Sequence, residues 1–217
     1  MKKGLTELVF VLDMSGSMNH LTSDTIGGFN SVLKEHNDGQ GEVLVTTYVF
    51  NNESKMIHDR LPIANVPPMT QKEYHARGCT ALLDAIGGAI EHIVGIHRYA
   101  RNEDVPEHTV FVITTDGMEN ASHSFSAEHV RDKIRHEQDK YGWEFIFLAA
   151  NIDAVETAER FGIAPSRAVN YVADETGTER VYEAVNCATR SVREGKCLSG
   201  DDSWRRKIDT DYQRRSK

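Results

Sequence analysis

Leu8-Val9-Phe10-Val11-Leu12-Asp13-Met14-Ser15-Gly16-Ser17 is the stretch that decides the fold. Its first half is a continuous apolar run, as expected of a strand covered on both faces. Asp13 ends the run, and Ser15 and Ser17 follow at every second position. An acid and two hydroxyls so spaced at a strand end are oxygen donors able to face one point. Oxygen-only donors suit a hard divalent cation such as Mg²⁺. Gly16 lets the backbone turn sharply between the serines, and Ser17 and Asn19 are suited to cap a helix start. Alone the pattern is weak evidence, because Asp, Ser and Gly also fill ordinary turns.

Two further segments repeat the arrangement. Gly78-Cys79-Thr80-Ala81-Leu82 stands just ahead of a helical periodicity. Thr114-Thr115-Asp116-Gly117 stands just behind the apolar run Val110-Phe111-Val112-Ile113. Each puts an oxygen donor, Thr80 or Asp116, at a junction of elements.

Apolar runs predict strands over 5–12, 42–50, 56–61, 109–114, 144–149 and 167–171. Asn51-Asn52-Glu53-Ser54 reads as a hairpin turn, which makes one edge strand antiparallel. Between the strands, Ile26, Phe29, Val32 and Leu33 share one helical stripe. Leu82, Ala85, Ile86, Ala89, Ile90, Ile93 and Val94 form a second stripe that should bury against the sheet. A third helix is predicted from Ser126 to Gly142, and a short one from the capping-box variant Asp153…Glu156 to Gly162. The last runs from about residue 175 or 178 to about 194. The expected fold is α/β: a Rossmann-like, doubly wound, mainly parallel six-stranded sheet with one antiparallel edge strand and helices on both faces. In such sheets ligands bind beyond the carboxyl ends of the strands, where the strand order reverses, and Asp13 and Asp116 are expected there.

Residues 62–78 hold three prolines and no periodicity and read as a long loop over the same face. Residues 1–198 form the expected domain. Residues 199–217, which mix Asp, Arg and Lys with a lone Trp204 and Tyr212, read as a mobile tail or a partner-docking peptide.

A length of 217 residues fits one domain with a substantial core, and a formal charge of −8 argues against a nucleic-acid partner. Cys79, Cys187 and Cys197 have no metal-ligand spacing, and an odd count favours reduced thiols in a cytosol over a disulfide frame. Lys2 and Lys3 precede an apolar run too short for a secretory signal, and no stretch is long enough to span a bilayer. The expected location is cytoplasmic, with no membrane partner. The ten histidines are scattered. His92 and His97 lie off the stripe of their helix and read as surface residues. His75 and His123 fall on loops that flank the metal face without an evident role. Cys79 reads as a small buried filler, and Glu119 and Asn120 as solvated loop residues.

Asp-x-Ser-x-Ser, a threonine in a second segment and Asp-Gly after a buried strand together resemble the von Willebrand factor A family. The resemblance runs from about residue 5 to about residue 197, and all five positions of that family's metal-ion-dependent adhesion site (MIDAS) are matched. One departure is Cys79, where relatives more often carry glycine before the threonine. The resemblance implies a metal site made of Asp13, Ser15, Ser17, Thr80 and Asp116, holding Mg²⁺ or Mn²⁺. Ser15 and Ser17 would bind the ion directly, Asp13 and Asp116 mostly through waters, and Thr80 in either way as the ligand state changes. Neutral hydroxyls leave the ion electrophilic, with one position for an Asp or Glu carboxylate of a partner protein. The resemblance thus implies a non-enzymatic, metal-dependent protein-binding module of stand-alone bacterial type. It implies an intracellular assembly, with an ATPase, kinase or phosphatase as the partner suggested. In related domains ligation moves the last helix.

Two other functions are expected to fail on the residues. A Mg²⁺-dependent phosphatase or hydrolase using Asp13 as nucleophile, as in haloacid dehalogenase-type enzymes, wants a second acid two positions on for proton transfer. Ser15 stands there instead, and no obvious lysine partner or general base accompanies it. A nucleic-acid factor is disfavoured by the acidic balance.

Overall fold

The computed structural model describes residues 1–198 and 200–216. Among them six strands form one sheet: β1 (Lys2–Asp13), β2 (Glu42–Phe50), β3 (Ser54–Pro62), β4 (Pro106–Thr115), β5 (Glu144–Ala149) and β6 (Ala168–Asn170). Their order is β3-β2-β1-β4-β5-β6. All neighbours are parallel except β3, which pairs antiparallel with β2 at the edge, as the hairpin turn predicts. β1 lies between β2 and β4, so the strand order reverses at β1/β4. Asp13 is the last residue of β1, and Asp116 follows the last residue of β4.

Side chains alternate across β1 because successive residues of a strand point to opposite faces. Leu8, Phe10 and Leu12 pack with Phe29 and Val32 of α1 (Thr22–His36) and with Val181, Val185 and Ala188 of α5 (Glu175–Arg193). Val9 and Val11 pack with Leu82, Ile86 and Ile90 of α2 (Leu82–Tyr99) and Val130 and Ile134 of α3 (Ala127–Tyr141). Ala154 and Ala158 of α4 (Ala154–Arg160) join that second face. The doubly wound arrangement follows: helices on both faces of a sheet whose central strands bury apolar side chains on both sides. Each such buried side chain contributes roughly 1.5–3 kcal/mol.

Local signals fix the helix ends. Asp153 accepts hydrogen bonds from Val155 N and Glu156 N at the start of α4, and Gly142 takes a left-handed φ of 67° to close α3. Ser17 and Asn19 do not cap α1. A short 3-10 turn, Gly16–Leu21, precedes it, and the Ser15 side chain at its start makes no capping bond. The serine hydroxyls are thereby left to other partners.

Three expectations are corrected. Residues 206–215 form a helix, α6 (Arg206–Arg215), where a mobile tail was expected. Trp204 and Ile208 are buried in the α1/α5 core, and Arg215 pairs with Asp174, the N-cap of α5. Two apolar anchors in a polar segment suffice to dock it. His97 is not a surface residue. Its Nε2 lies 2.9 Å from Oε2 of Glu7, a side chain fully buried in β1, and Arg60 Nε donates to Oε1 of the same carboxylate at 2.7 Å. Arg60 sits in a bulged part of β3 with φ 47°, and the bulge re-aims it at the buried acid. Cys79 is exposed, and its N donates to Asn52 Oδ1 in the β2–β3 turn at 2.9 Å.

Candidate metal centre

The carboxyl ends of β1 and β4 bring two acids together, and the pleat sends both toward one rim. Asp13 is wholly buried. Its Oδ1 accepts from Ser15 N at 2.7 Å and its Oδ2 from the Thr115 hydroxyl at 2.6 Å. The side chain of Asp13 is therefore held behind the loop that follows it. Burial pushes its carboxyl up to about 6, against the lowering effect of those bonds. Asp116 is raised as well, again by burial first, with the Ser17 hydroxyl partly offsetting it.

The hydroxyls fill the space ahead of the acids. Ser15 Oγ and Ser17 Oγ are 3.1 Å apart, and Ser17 Oγ donates to Asp116 Oδ1 at 2.5 Å. A β-carbon placed on Gly117 would lie 3.7 Å from Ser17 Oγ and 3.7 Å from Thr80 Oγ1. The two hydroxyls thus bracket that glycine from different loops. Ser15 and Thr80 are buried and Ser17 is exposed, so the cluster opens outward at Ser17. All five residues singled out from the sequence stand in one place.

Among the described residues no group of three or more His, Cys, Asp or Glu side chains is placed to hold a metal. The donor set here has a different chemistry: two carboxylates and three hydroxyls, all oxygen. That suits a hard divalent cation and not a soft one. Asp116 Oδ2 is buried and has no hydrogen-bond partner among the described residues. A buried acceptor in that condition is costly, and a cation or its bound water is the kind of group that would satisfy it. The residues present fit such an ion.

Several positioning residues escaped the sequence. The Tyr74 hydroxyl donates to the Asp13 carbonyl from the loop 62–78, where Tyr74 is fully buried. Arg77 N donates to Met14 O at 2.8 Å and Gly16 N to Gly78 O at 3.0 Å, so that loop flanks the first metal loop as expected. Asn120 is no idle loop residue: its Oδ1 accepts from Thr80 N at 2.9 Å, and its own N donates to Thr80 O at 3.1 Å. Glu119 accepts from Leu83 N at 2.9 Å at the start of α2 and from Ala121 N and Ser122 N in its own loop. Together they lock the second metal loop to the third. His20 bridges Ser17 O and Ala173 O, linking the first loop to the approach to α5. His75 and His123 are exposed, and neither ring makes a hydrogen bond or ion pair among the described residues. Only Tyr74, aromatic in a proline-rich loop, offered a sequence signal, and its partner is a backbone atom with no signature.

No family model and no curated protein matches the chain. Solved structures do. The proximal thread matrix protein 1 of the mussel byssus, with a zinc-occupied MIDAS motif, matches 86% of this chain and 46% of its own length at 16% identity and TM-score 0.58. The pilus adhesin SpaC of Lactobacillus rhamnosus GG matches 90% of this chain and 31% of its own at 13% identity and TM-score 0.66. The von Willebrand factor domain of the type V pili tip protein Mfa5 of Porphyromonas gingivalis matches 84% of this chain and 95% of its own at 8% identity and TM-score 0.58. This chain thus spans less than half the length of the first two. At such identities the likeness is one of fold, and the sheet order and helix layers agree with it: the chain has the von Willebrand factor A fold.

Proposed function

We propose that this protein is a non-enzymatic, metal-dependent protein-binding module. Asp13, Ser15, Ser17, Thr80 and Asp116 would hold the ion, Mg²⁺ or Mn²⁺. When bound, the cation supplies an electrophilic point to which a partner's Asp or Glu carboxylate adds. The observation that carries this is the clustering of the Ser15, Ser17 and Thr80 hydroxyls beside Asp116: Ser17 bonds its Oδ1, while its Oδ2 is buried with no hydrogen-bond partner among the described residues. Asp13 is held back by Ser15 N and Thr115 Oγ1, so its charge acts from behind the hydroxyls. Ser17, the exposed member, stands at the opening through which a partner would enter. The zinc-occupied motif of the mussel protein is consistent with divalent binding on this fold.

The same geometry weighs against hydrolase chemistry. A nucleophilic carboxylate needs an open lone pair facing the substrate, whereas both oxygens of Asp13 are occupied and the side chain is wholly buried. We place the protein in the cytoplasm, in an assembly whose partner, an ATPase, kinase or phosphatase, presents the acid. The exposed position of all three cysteines and their odd number suit a reducing compartment. Among the described residues no helix is long and apolar enough to cross a membrane.

Titration of Mg²⁺ and Mn²⁺ into native protein and into Ser15→Ala/Ser17→Ala tests the site. Heat of binding in the native protein, lost in the double variant while its fold persists by circular dichroism, is the expected result. Equal binding in both would remove the site.

A further inference from the structure

Val130, Ile134 and Glu137 stand at i, i+4 and i+7 on α3 and are the buried residues of that helix. An acid thus takes the third place on a stripe that should be apolar. Glu137 is 5% exposed, yet among the described residues its carboxylate makes no hydrogen bond and no ion pair. Such a group is costly to keep charged. Burial holds its carboxyl above the usual carboxylate range, against the lowering effect of His136, His97, Lys140 and Lys133.

Glu137 lines an open cleft of about 1170 Å³ between α2 and α3. The cleft reaches Pro106 and Thr109 at the amino end of β4, the opposite end of that strand from Asp116. Gly95 leaves its α2 wall low, since a β-carbon there would meet nothing within 4 Å. Ile90, Val94 and Trp143 add apolar surface to the lining. Trp143 is held by stacking on Phe111, with ring centroids 5.4 Å apart. The neighbouring cations are engaged elsewhere. Lys133 pairs with Glu91 of α2 at 2.9 Å, His97 with Glu7 at 2.9 Å, and Lys140 lies 5.0 Å from the Tyr141 ring centroid. A mostly apolar hollow with one convergent, unanswered charge is the usual build of a small-ligand site.

We propose that this cleft binds a primary alkylammonium group, its charge on the Glu137 carboxylate and its carbon chain along Ile90, Val94 and Trp143. A free alkylamine and the lysine side chain of another protein share that chemistry. Sign and shape select the ligand together. An anion of the same length would be repelled by Glu137, and an uncharged chain would leave the acid unanswered. An indole beside the acid also favours a cation. The site stands apart from the metal centre and needs no metal.

The test is a titration of n-hexylammonium into native protein at neutral pH in EDTA. Proton–nitrogen correlation spectra follow the Trp143 indole and the amides of α2 and α3. A saturable shift is expected, with hexanoate and hexanol each weaker by about ten-fold or more. Glu137→Gln keeps the shape, removes the charge and should weaken hexylammonium by about ten-fold or more, whereas Glu137→Asp keeps part of the binding. Unfolding curves check that both variants fold. An acetylated and amidated Gly-Ser-Lys-Ser-Gly peptide separates the two sources. Its binding makes a protein lysine a competent ligand, and its failure beside bound hexylammonium confines the site to free amines. No saturable shift with either amine or peptide overturns the proposal. So does equal affinity for hexanoate or hexanol, or hexylammonium binding unchanged in Glu137→Gln.

Discussion

Asp13 and His36 show how a single buried group sets a pH dependence, with opposite signs. Asp13 has a folded pKa raised to about 6, with burial the leading cause. Between about pH 4 and pH 6 the folded chain keeps a proton that the unfolded chain has released. Metal-free stability therefore falls as pH rises through that window, by up to about 3 kcal/mol. In EDTA at pH 7.5, Asp13→Asn should be more stable than the native protein to urea. The difference should close as pH falls toward 4, and the variant should gain nothing from added Mg²⁺. His36 runs the other way. Burial, helped by the charges of Arg193 and Arg190, lowers it to about 4, and its Nδ1 lies 2.9 Å from Arg193 Nη1. Its folded form stays neutral where the unfolded one is charged, so stability is full above about pH 6.5 and is lost as pH falls toward 4. His36→Gln should flatten that loss in denaturation curves taken between pH 7 and pH 5. Tyr74 acts on geometry and not on charge. Tyr74→Phe removes one buried hydrogen bond to the Asp13 carbonyl. It should cost about 1 kcal/mol of stability and, by loosening the first metal loop, weaken Mg²⁺ binding in a calorimetric titration.

At the scale of elements, α5 and α6 behave as a unit. α6 buries Ile208 with the neighbouring Trp204 against the α5 face, and Arg215 reaches both Asp211 and the α5 N-cap Asp174. The approach to α5 is tied in turn to the first metal loop, because His20 lies between Ser17 O and Ala173 O. Trp204→Ala should lower stability by about 3 kcal/mol and reduce hydrogen-exchange protection in α5 more than in α2. The indole nitrogen of Trp204 is buried without a partner among the described residues, which keeps the loss toward the lower end of the range for large-to-small changes. Mg²⁺ with an acidic peptide should alter exchange first at the amino-terminal turn of α5, next to Ala173. Unchanged exchange there would separate α5 from the metal loops while leaving binding untouched.

For the whole molecule, the sheet order puts the acids at one end, and the ionic network of Glu7, Arg60 and His97 joins β1, the β3 edge and α2. That network is a buried charge with two partners, so removing one partner should be severe. Arg60→Ala leaves the fully buried Glu7 with His97 alone and should destabilise by about 3 kcal/mol or more. Arg60→Ala/Glu7→Gln should recover a large part of it, as thermal unfolding would report.

The sequence by itself determined the strand and helix succession, the antiparallel edge and the five oxygen donors, because each is written in local residues: an apolar run, a helical stripe, a turn, an Asp-x-Ser-x-Ser. Only the tertiary structure decided what surrounds them. Tyr74 finds the Asp13 carbonyl, Asn120 finds Thr80, and Glu119 caps α2 through contacts between segments remote in the chain or with backbone atoms. His97 reads as a surface residue by its helical stripe and is drawn inward by an acid ninety positions away. The segment after residue 199 is polar enough to read as a tail, yet Trp204 and Ile208 dock it, because two apolar side chains need only an apolar face, here that of α5 and β6, to cover. Periodicity records which face of an element is apolar; it holds no record of which distant group that face, or a lone charge beside it, will meet.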